Sequence, residues 1–234
     1  MPTRNARFPT TRWTLILNSG DESTRRDALD WLCERYWYPI YAFLRRRGHD
    51  PAAAQDLTQS FLTAFLQRRS IEGADPDRGR FRSYLLGALK NFLSDRRDYD
   101  AVARRGGGIG FLSLSTESVE EFYLQSPAGI SPEMLYEQQW ALTLIERVLD
   151  LLRAEQEAAG KVEAFHHLKN FITGEGDYRQ ASAALGINEG AARVAVHRLR
   201  RRYRELLTAE ISETLHDPAG VQDEIRYLIS LLSS

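Results

Sequence analysis

Apolar residues recur along this chain at intervals of three and four. Leu29, Leu32, Tyr36 and Ile40 do so, then Leu57, Phe61, Ala64 and Phe65, then Phe81, Leu85, Leu89 and Phe92, and later Leu142, Ile145, Leu149 and Leu152. Side chains at that spacing stack on one face of an α-helix, so each run predicts an amphipathic helix. No run alternates at the period of two that a half-buried strand requires, and no significant sheet is expected. Asp50-Pro51 and Ser131-Pro132 each put a capping side chain before a proline at a first helical position. Pro39 is expected to kink or restart the helix that carries Tyr36 and Ile40. The fold class is all-α.

The pattern breaks at Gly106-Gly107-Gly108-Ile109-Gly110 and the Ser/Thr-rich residues that follow. Glycine and serine favour a flexible connection, so residues 106–130 read as a linker between two helical domains, 1–105 and 131–215. A long surface loop within one domain is the competing reading. Pro218 then breaks a long helix, and Val221 to Leu232 forms an amphipathic helix within a C-terminal helical extension, 216–234. That helix is expected to cap the second domain, the alternative being a flap over a binding surface. No internal repeat is present.

Composition narrows the function. With 234 residues, 43% hydrophobic and 27% charged, the chain can bury a core. Lys+Arg is 31 and Asp+Glu is 32, a net charge of −1, which excludes a uniformly basic nucleic-acid coat. The charge is nevertheless segregated. From Arg78 to Arg105 eight basic residues face three acids, and Ala191 to Arg204 holds six arginines and no acid, whereas Glu117 to Glu157 has nine acids against two arginines. Two basic segments around an acidic one suggest two contact surfaces on one polyanion. Cys33 is the single cysteine, which excludes an internal disulfide and a Cys-rich zinc site. No stretch approaches a membrane span, and a cytoplasmic location is expected.

The densest information lies between Tyr178 and Arg204. Gln180 to Leu185 predicts a short helix, Gly186 ends it in the left-handed conformation, and Asn188 caps the next helix. Helix, glycine turn, helix is the layout of a DNA-binding helix-turn-helix. In the second helix Ala192, Val196, Leu199, Tyr203 and Leu206 share a core-facing side. Arg193, Val194 and His197 fall where the first turns reach base edges, while Arg198, Arg200, Arg201 and Arg202 are placed to grip phosphates. A solvated arginine-rich helix is the bland alternative, and the absence of acids among these arginines argues against it.

Two further segments connect this unit to the N-terminal half. Asp56-Leu57-Thr58-Gln59, Phe81-Arg82-Ser83-Tyr84-Leu85 and Leu89 through Arg97, followed by the helix-turn-helix, resemble in order and spacing a bacterial RNA polymerase sigma factor of the extracytoplasmic-function class. The resemblance covers most of the chain. It implies a region 2 that binds the β′ clamp helices and melts the −10 promoter element. It also implies a region 4 that binds the −35 element and the β flap, with the linker threading the polymerase cleft. Arg80, Arg82, Tyr84, Lys90, Asn91, Arg96 and Arg97 then become the −10 candidates, since single-stranded DNA needs cations and aromatic faces. Phe81 and Phe92 lie on the apolar stripe and read as core. The loop 70–80 lies where this class captures a flipped base. The −35 candidates are Arg193, Val194, His197, Arg198 and Arg201.

One motif departs from the class. The helix that meets the polymerase usually carries Asp-Ala-Glu-Asp and a Gln-Glu pair, but here Gln55 and Ser60 stand where glutamates are common. Asp56, Gln59, Ser60, Thr63 and Gln67 share one face, opposite Leu57, Phe61 and Phe65. Asp56, Gln59, Ser60 and Thr63 are the core-polymerase candidates. A Ser/Thr kinase acting on Thr63 or Ser60 would restore the missing negative charge, and some divergent members of the class are linked to such kinases. An interface rebuilt from hydrogen bonds is the alternative.

No phosphate loop, nucleophile motif or supported carboxylate pair is present, His166-His167 lacks further ligands at metal spacing, and Cys33 reads as buried and inert. An enzyme is not expected, nor is a cofactor or metal. The expected function is a promoter-directing sigma factor. Its partners would be core polymerase, promoter DNA and a candidate Ser/Thr kinase or anti-sigma factor, with no membrane. A polymerase-independent helix-turn-helix regulator is the alternative.

Overall fold

The computed structural model describes residues 22–67, 80–100, 116–215 and 218–233. The expected base-capturing loop up to residue 79, the glycine run at 106–110 and the side chains of Gln67 and Arg97 lie outside the described residues. The helices are α1 (Glu22–Arg46), α2 (Pro51–Gln67), α3 (Phe81–Asp100), α4 (Thr116–Leu124), α5 (Pro132–Ala158), α6 (Val162–Leu168), α7 (Asn170–Thr173), α8 (Tyr178–Leu185), α9 (Glu189–Ser212) and α10 (Val221–Leu232). Among the described residues there is no strand, so the fold is all-α. None of these helices is long and apolar enough to cross a membrane.

Local chemistry sets several helix starts. The Asp50 carboxylate accepts from the Ala53 amide at 2.9 Å, and the Ser131 hydroxyl accepts from the Met134 amide at 3.1 Å, with Pro51 and Pro132 opening α2 and α5. Pro39 does not restart α1, which is one helix through it. An interior proline costs about 3 kcal/mol. Tyr36, Ile40, Phe43 and Leu44 are all buried around it, and burying each such side chain returns about 1.5–3 kcal/mol.

The chain divides into two compact units, one comprising Met1–Thr143 with Ser212–Ser234 and the other Leu144–Ile211. The division therefore falls inside α5, not in the glycine-rich stretch. Nor is the second half of that stretch a plain connection. Helix α4 docks on α1 through buried Val119 and through Glu120, whose carboxylate accepts from the Tyr41 hydroxyl at 2.6 Å and from Arg45 at 2.5 and 2.9 Å. Phe122 meets Tyr38 edge-on at 6.1 Å, and the Arg45 guanidinium lies 4.9 Å over the Tyr123 ring.

The core of the first unit is aromatic. Phe81 opens α3 and is buried, as expected, with its ring 5.6 Å from Trp31, 5.3 Å from Tyr36 and 6.3 Å from Phe65. The buried stripe of α5 is Leu135, Tyr136 and Trp140 in this unit and Leu144, Val148 and Leu152 in the second. Leu142, expected on that stripe, is 40% exposed, and Ile145 and Leu149 are half-buried. The helix carries apolar residues in two adjacent registers, and packing selects the one that contains the large rings.

Contrary to expectation, the C-terminal segment belongs to the first unit and not to the helix-turn-helix. Glu213 accepts from the Trp31 indole at 3.2 Å and from Arg35 at 3.4 Å, and the Thr214 carbonyl accepts from the Phe81 amide at 3.4 Å. Val221, Glu224, Leu228 and Leu231 of α10 are buried. Arg82, 2% exposed, bridges Glu137 of α5 and Glu224 of α10, and its guanidinium lies 4.3 Å over the Trp140 ring. Burial alone would depress the Arg82 pKa, but the two carboxylates outweigh it and hold the group above its ordinary value.

Cys33 is half-buried, and burial, with Asp30 and Glu34 nearby, pushes its thiol up to about 11. Alkylation in the folded protein should therefore accelerate about tenfold per pH unit from pH 7 to 10, because only the thiolate reacts. A plateau in rate near pH 8.5, the ordinary cysteine pKa, would contradict this. Removing one member of the buried charge cluster strands the others. Arg82→Met should lower stability in urea by about 3–5 kcal/mol, and combining it with Glu224→Gln should cost less than the sum of the two single changes.

Candidate nucleic-acid interface

The helix-turn-helix is assembled by caps. The Asp177 carboxylate accepts from the amides of Arg179 at 2.8 Å and Gln180 at 3.3 Å, starting α8. Gly186 has φ 64° and ψ 27°, the left-handed conformation that ends it, and the Ile187 amide closes back on the Ser182 carbonyl at 3.1 Å. The Asn188 side chain then accepts from the Ala191 amide at 2.8 Å to start α9. Leu152, Phe165, Leu168, Phe171, Ala181, Val196 and Leu199 form the core that holds both helices.

That core fixes which side of α9 is presented. Ala192, Val196 and Leu199 are buried and Tyr203 and Leu206 pack at the margin, as the apolar spacing predicts. Arg193, Val194, His197, Arg198 and Arg201 are all exposed, Val194 by 51%. The Arg193 guanidinium lies 4.4 Å over the Tyr178 ring and 3.8 Å from Glu189, and Tyr178 itself meets Phe171 in a tilted pair at 4.5 Å. A stacked arginine loses less side-chain freedom when it engages a base, so Tyr178 supports the first-turn arginine. The apolar pattern gave no sign of this contact.

The remaining arginines are not equivalent. Arg200 donates twice to the Phe171 carbonyl, at 2.8 and 2.6 Å, and so ties α9 to the end of α7. Arg202 is paired with Glu155 at 2.6 Å and Glu205 at 3.0 Å, and Arg201 with Glu205 at 3.1 Å. Hydrogen bonds from Arg202 hold the carboxyls of Glu155 and Glu205 below the usual carboxylate range. The expectation that this arginine run lacks acidic partners is thus corrected. Glu189 and Glu205 lie just beyond the run's ends at helical spacing, and Glu155 arrives from α5. Arg200 and Arg202 serve the fold in this arrangement.

The candidates on α3 are distributed unevenly. Tyr84 is half-buried with its ring 6.1 Å from Phe65, and burial raises its pKa. Asn91 is exposed, and Arg96 is half-buried with its guanidinium 5.8 Å over the Phe92 ring. Lys90 pairs with Glu133 at 2.7 Å, and Arg80 with Glu224 at 2.7 Å. Arg82 is enclosed by carboxylates and rings, so in this arrangement it presents no donor to DNA.

On α2, Asp56 is exposed and Gln59, Ser60 and Thr63 are half-buried, while Ala54, Thr58, Phe61, Leu62, Phe65 and Leu66 face the core. Thr58 donates to the Ala54 carbonyl at 2.7 Å. Asp56 also lines a cleft of about 320 Å³ with Arg47, His49, Ala53, Leu57, Leu93 and Arg96. One cleft therefore brings a residue of the expected polymerase face together with one of the expected −10 residues.

A family model described as sigma-70 region 2 matches residues 32–100, which span α1 to α3. The chain is also 29% identical over 215 residues to a protein named ECF RNA polymerase sigma factor SigE from Mycolicibacterium smegmatis, covering 91% of this chain and 71% of that relative. Residues 32–100 therefore match a sigma-70 region 2, and most of the chain is similar to an extracytoplasmic-function sigma factor. No solved structure matches the chain. The region 2 match takes in both the polar α2 face and the basic α3 surface, and the similarity to SigE extends beyond them.

The two arginine classes on α9 separate by measurement. Arg198→Ala should leave thermal stability unchanged and reduce the salt slope of duplex DNA binding by about one ion. Arg200→Ala should lower the melting temperature with little change in that slope. The reverse pattern would overturn the division.

Proposed function

We propose that this chain is an extracytoplasmic-function sigma factor that directs core RNA polymerase to promoters through two DNA-binding surfaces and a polymerase-binding helix. The observation that carries the reading is one chain holding both a sigma-70 region 2 match and a capped helix-turn-helix with Arg193, Val194, His197, Arg198 and Arg201 exposed on its second helix. Arg193, Val194 and His197 stand at the N-terminal turns of α9, where a recognition helix meets base edges of the −35 element, and Arg198 and Arg201 meet phosphates. Tyr84, Asn91 and Arg96, with Arg80, Lys90 and Arg97, form the −10 surface, and Arg82 lies behind it, enclosed by Glu137, Glu224 and Trp140. Asp56, Gln59, Ser60 and Thr63 face the β′ clamp helices, and the helix-turn-helix unit takes the β flap. A regulator that acts without polymerase has no use for the region 2 surface.

The polymerase-facing helix also supports control by phosphorylation. Helix α2 has no acid in its first turn, and Asp56 is its sole acid. Thr58 is sealed into the core, but Ser60 and Thr63 are partly exposed on the same polar side as Asp56. A phosphate there adds about −1.5 to −2 charges and can pair with arginines across an interface. A Ser/Thr kinase is therefore the proposed activating partner, with an anti-sigma factor as the other class of regulator.

Run-off transcription with purified core polymerase tests the first reading: promoter-specific transcripts should require this protein, and their absence on every template would refute it. Arg193→Ala should weaken −35 duplex binding by about 1–3 kcal/mol and relax discrimination at one base position. Thr63→Glu should bind core polymerase at least tenfold more tightly than Thr63→Ala. Equal, tight binding by the unmodified wild type and both variants would remove the kinase from the account.

A further inference from the structure

The carboxylates that face α3 come from segments far away in the chain. Glu133 and Glu137 lie in the first turns of α5, and Glu224 lies in the first turn of α10. Glu133 takes Lys90, Glu137 takes Arg82, and Glu224 takes both Arg82 and Arg80. Tyr227, one turn after Glu224, places its ring 4.8 Å below the Arg80 guanidinium and 5.0 Å from that of Arg82. The ion pairs occupy the cations that DNA phosphates would take, and the Tyr227 ring covers the guanidinium faces on which an unstacked base would lie. A phosphate cannot enter the space that Glu224 and Tyr227 fill beside Arg80 and Arg82.

The occupant is built to be removable as a unit. Helix α10 has 12 residues, too short to be stable by itself, and it is held by one face. Val221, Leu228 and Leu231 are buried on that face, while Ile229 on the other side is 61% exposed. Its central ion pair gives little net stability relative to another anion, because each charge has been stripped of water and needs only some carboxylate or phosphate to replace it. Pro218 and Gly220 form a separate turn immediately before it, so α10 is not continuous with α9.

We propose that α10 is an intramolecular competitor of promoter DNA. In the closed form Glu224 and Tyr227 occupy Arg80 and Arg82; in the open promoter complex α10 leaves, and the −10 strand takes over both arginines. This rests on the reading of α3 as the −10 surface.

Hydrogen exchange and open-complex formation on the full-length protein test it. The probes are purified core polymerase and a promoter fragment recovered by run-off transcription, premelted across the −10 element. Amides of residues 221–232 should exchange at least tenfold faster in the promoter complex than in the free protein. Glu224→Gln, assayed at a temperature where both proteins are fully folded, should form the complex at least threefold faster than wild type. Unchanged protection of 221–232 in the promoter complex overturns the proposal, as does a folded Glu224→Gln variant with unchanged or slower complex formation. Should Glu224→Gln fail to fold, the exchange measurement on the wild type decides. A wild type that initiates with α10 still protected refutes the competitor alone. No initiation by wild type or variant on any template refutes the sigma reading beneath it.

Discussion

A guanidinium enclosed by protein has to find its counter-charges there, and the first unit is arranged around that demand. Arg82 sits one residue into α3, in the middle of an aromatic core, at 2% exposure. Its neighbours in sequence offer no carboxylate, so the pairing must be supplied by other segments. Glu137 comes from α5 and Glu224 from α10, with Trp140 and Tyr227 closing over the cation. The Tyr136 hydroxyl adds a bond of 3.1 Å to the Arg82 carbonyl. This one buried charge explains why residues from both ends of the chain fall in the same unit, with Leu144–Ile211 inserted between them.

The two basic segments carry out different work as a result. On α9 the apolar face is fully satisfied inside its own unit, which leaves Arg193, His197 and Arg198 on the outside with Val194. Arg200 and Arg202 are drawn back to Phe171 and Glu155 and stiffen the support beneath them. On α3, by contrast, the cations nearest the helix start are already engaged by carboxylates, while Asn91 and Arg96 lie further along. A basic surface that is presented and one that is covered have the same signature in composition. They differ only in which acids fold against them.

The polar side of α2 follows a third logic. With Asp56 its sole acid, it offers mainly amide and hydroxyl groups, and the cleft beside Asp56 is lined by Arg47, His49 and Arg96. The cations that line this cleft therefore meet a helix face with a single acid of its own.

Much was legible from the chain alone. Periodicity marked the helices, Asp50-Pro51, Ser131-Pro132, Gly186 and Asn188 marked their ends, and Val221 to Leu232 was recognisable as a helix by its own pattern. These features are set by neighbours three or four residues apart, so short-range sequence determines them. What the tertiary structure decided was always a choice between partners: which register of α5 is buried, that Pro39 stays inside a helix, that α4 docks on α1, and that α10 joins the first unit. The same holds for the arginines, since no local rule says whether Arg82 will meet a carboxylate from 55 or 142 residues away or remain open to a phosphate. Short-range sequence specified the helices and the net charge of −1, but only packing determined which of those charges cancel against each other and which stay exposed.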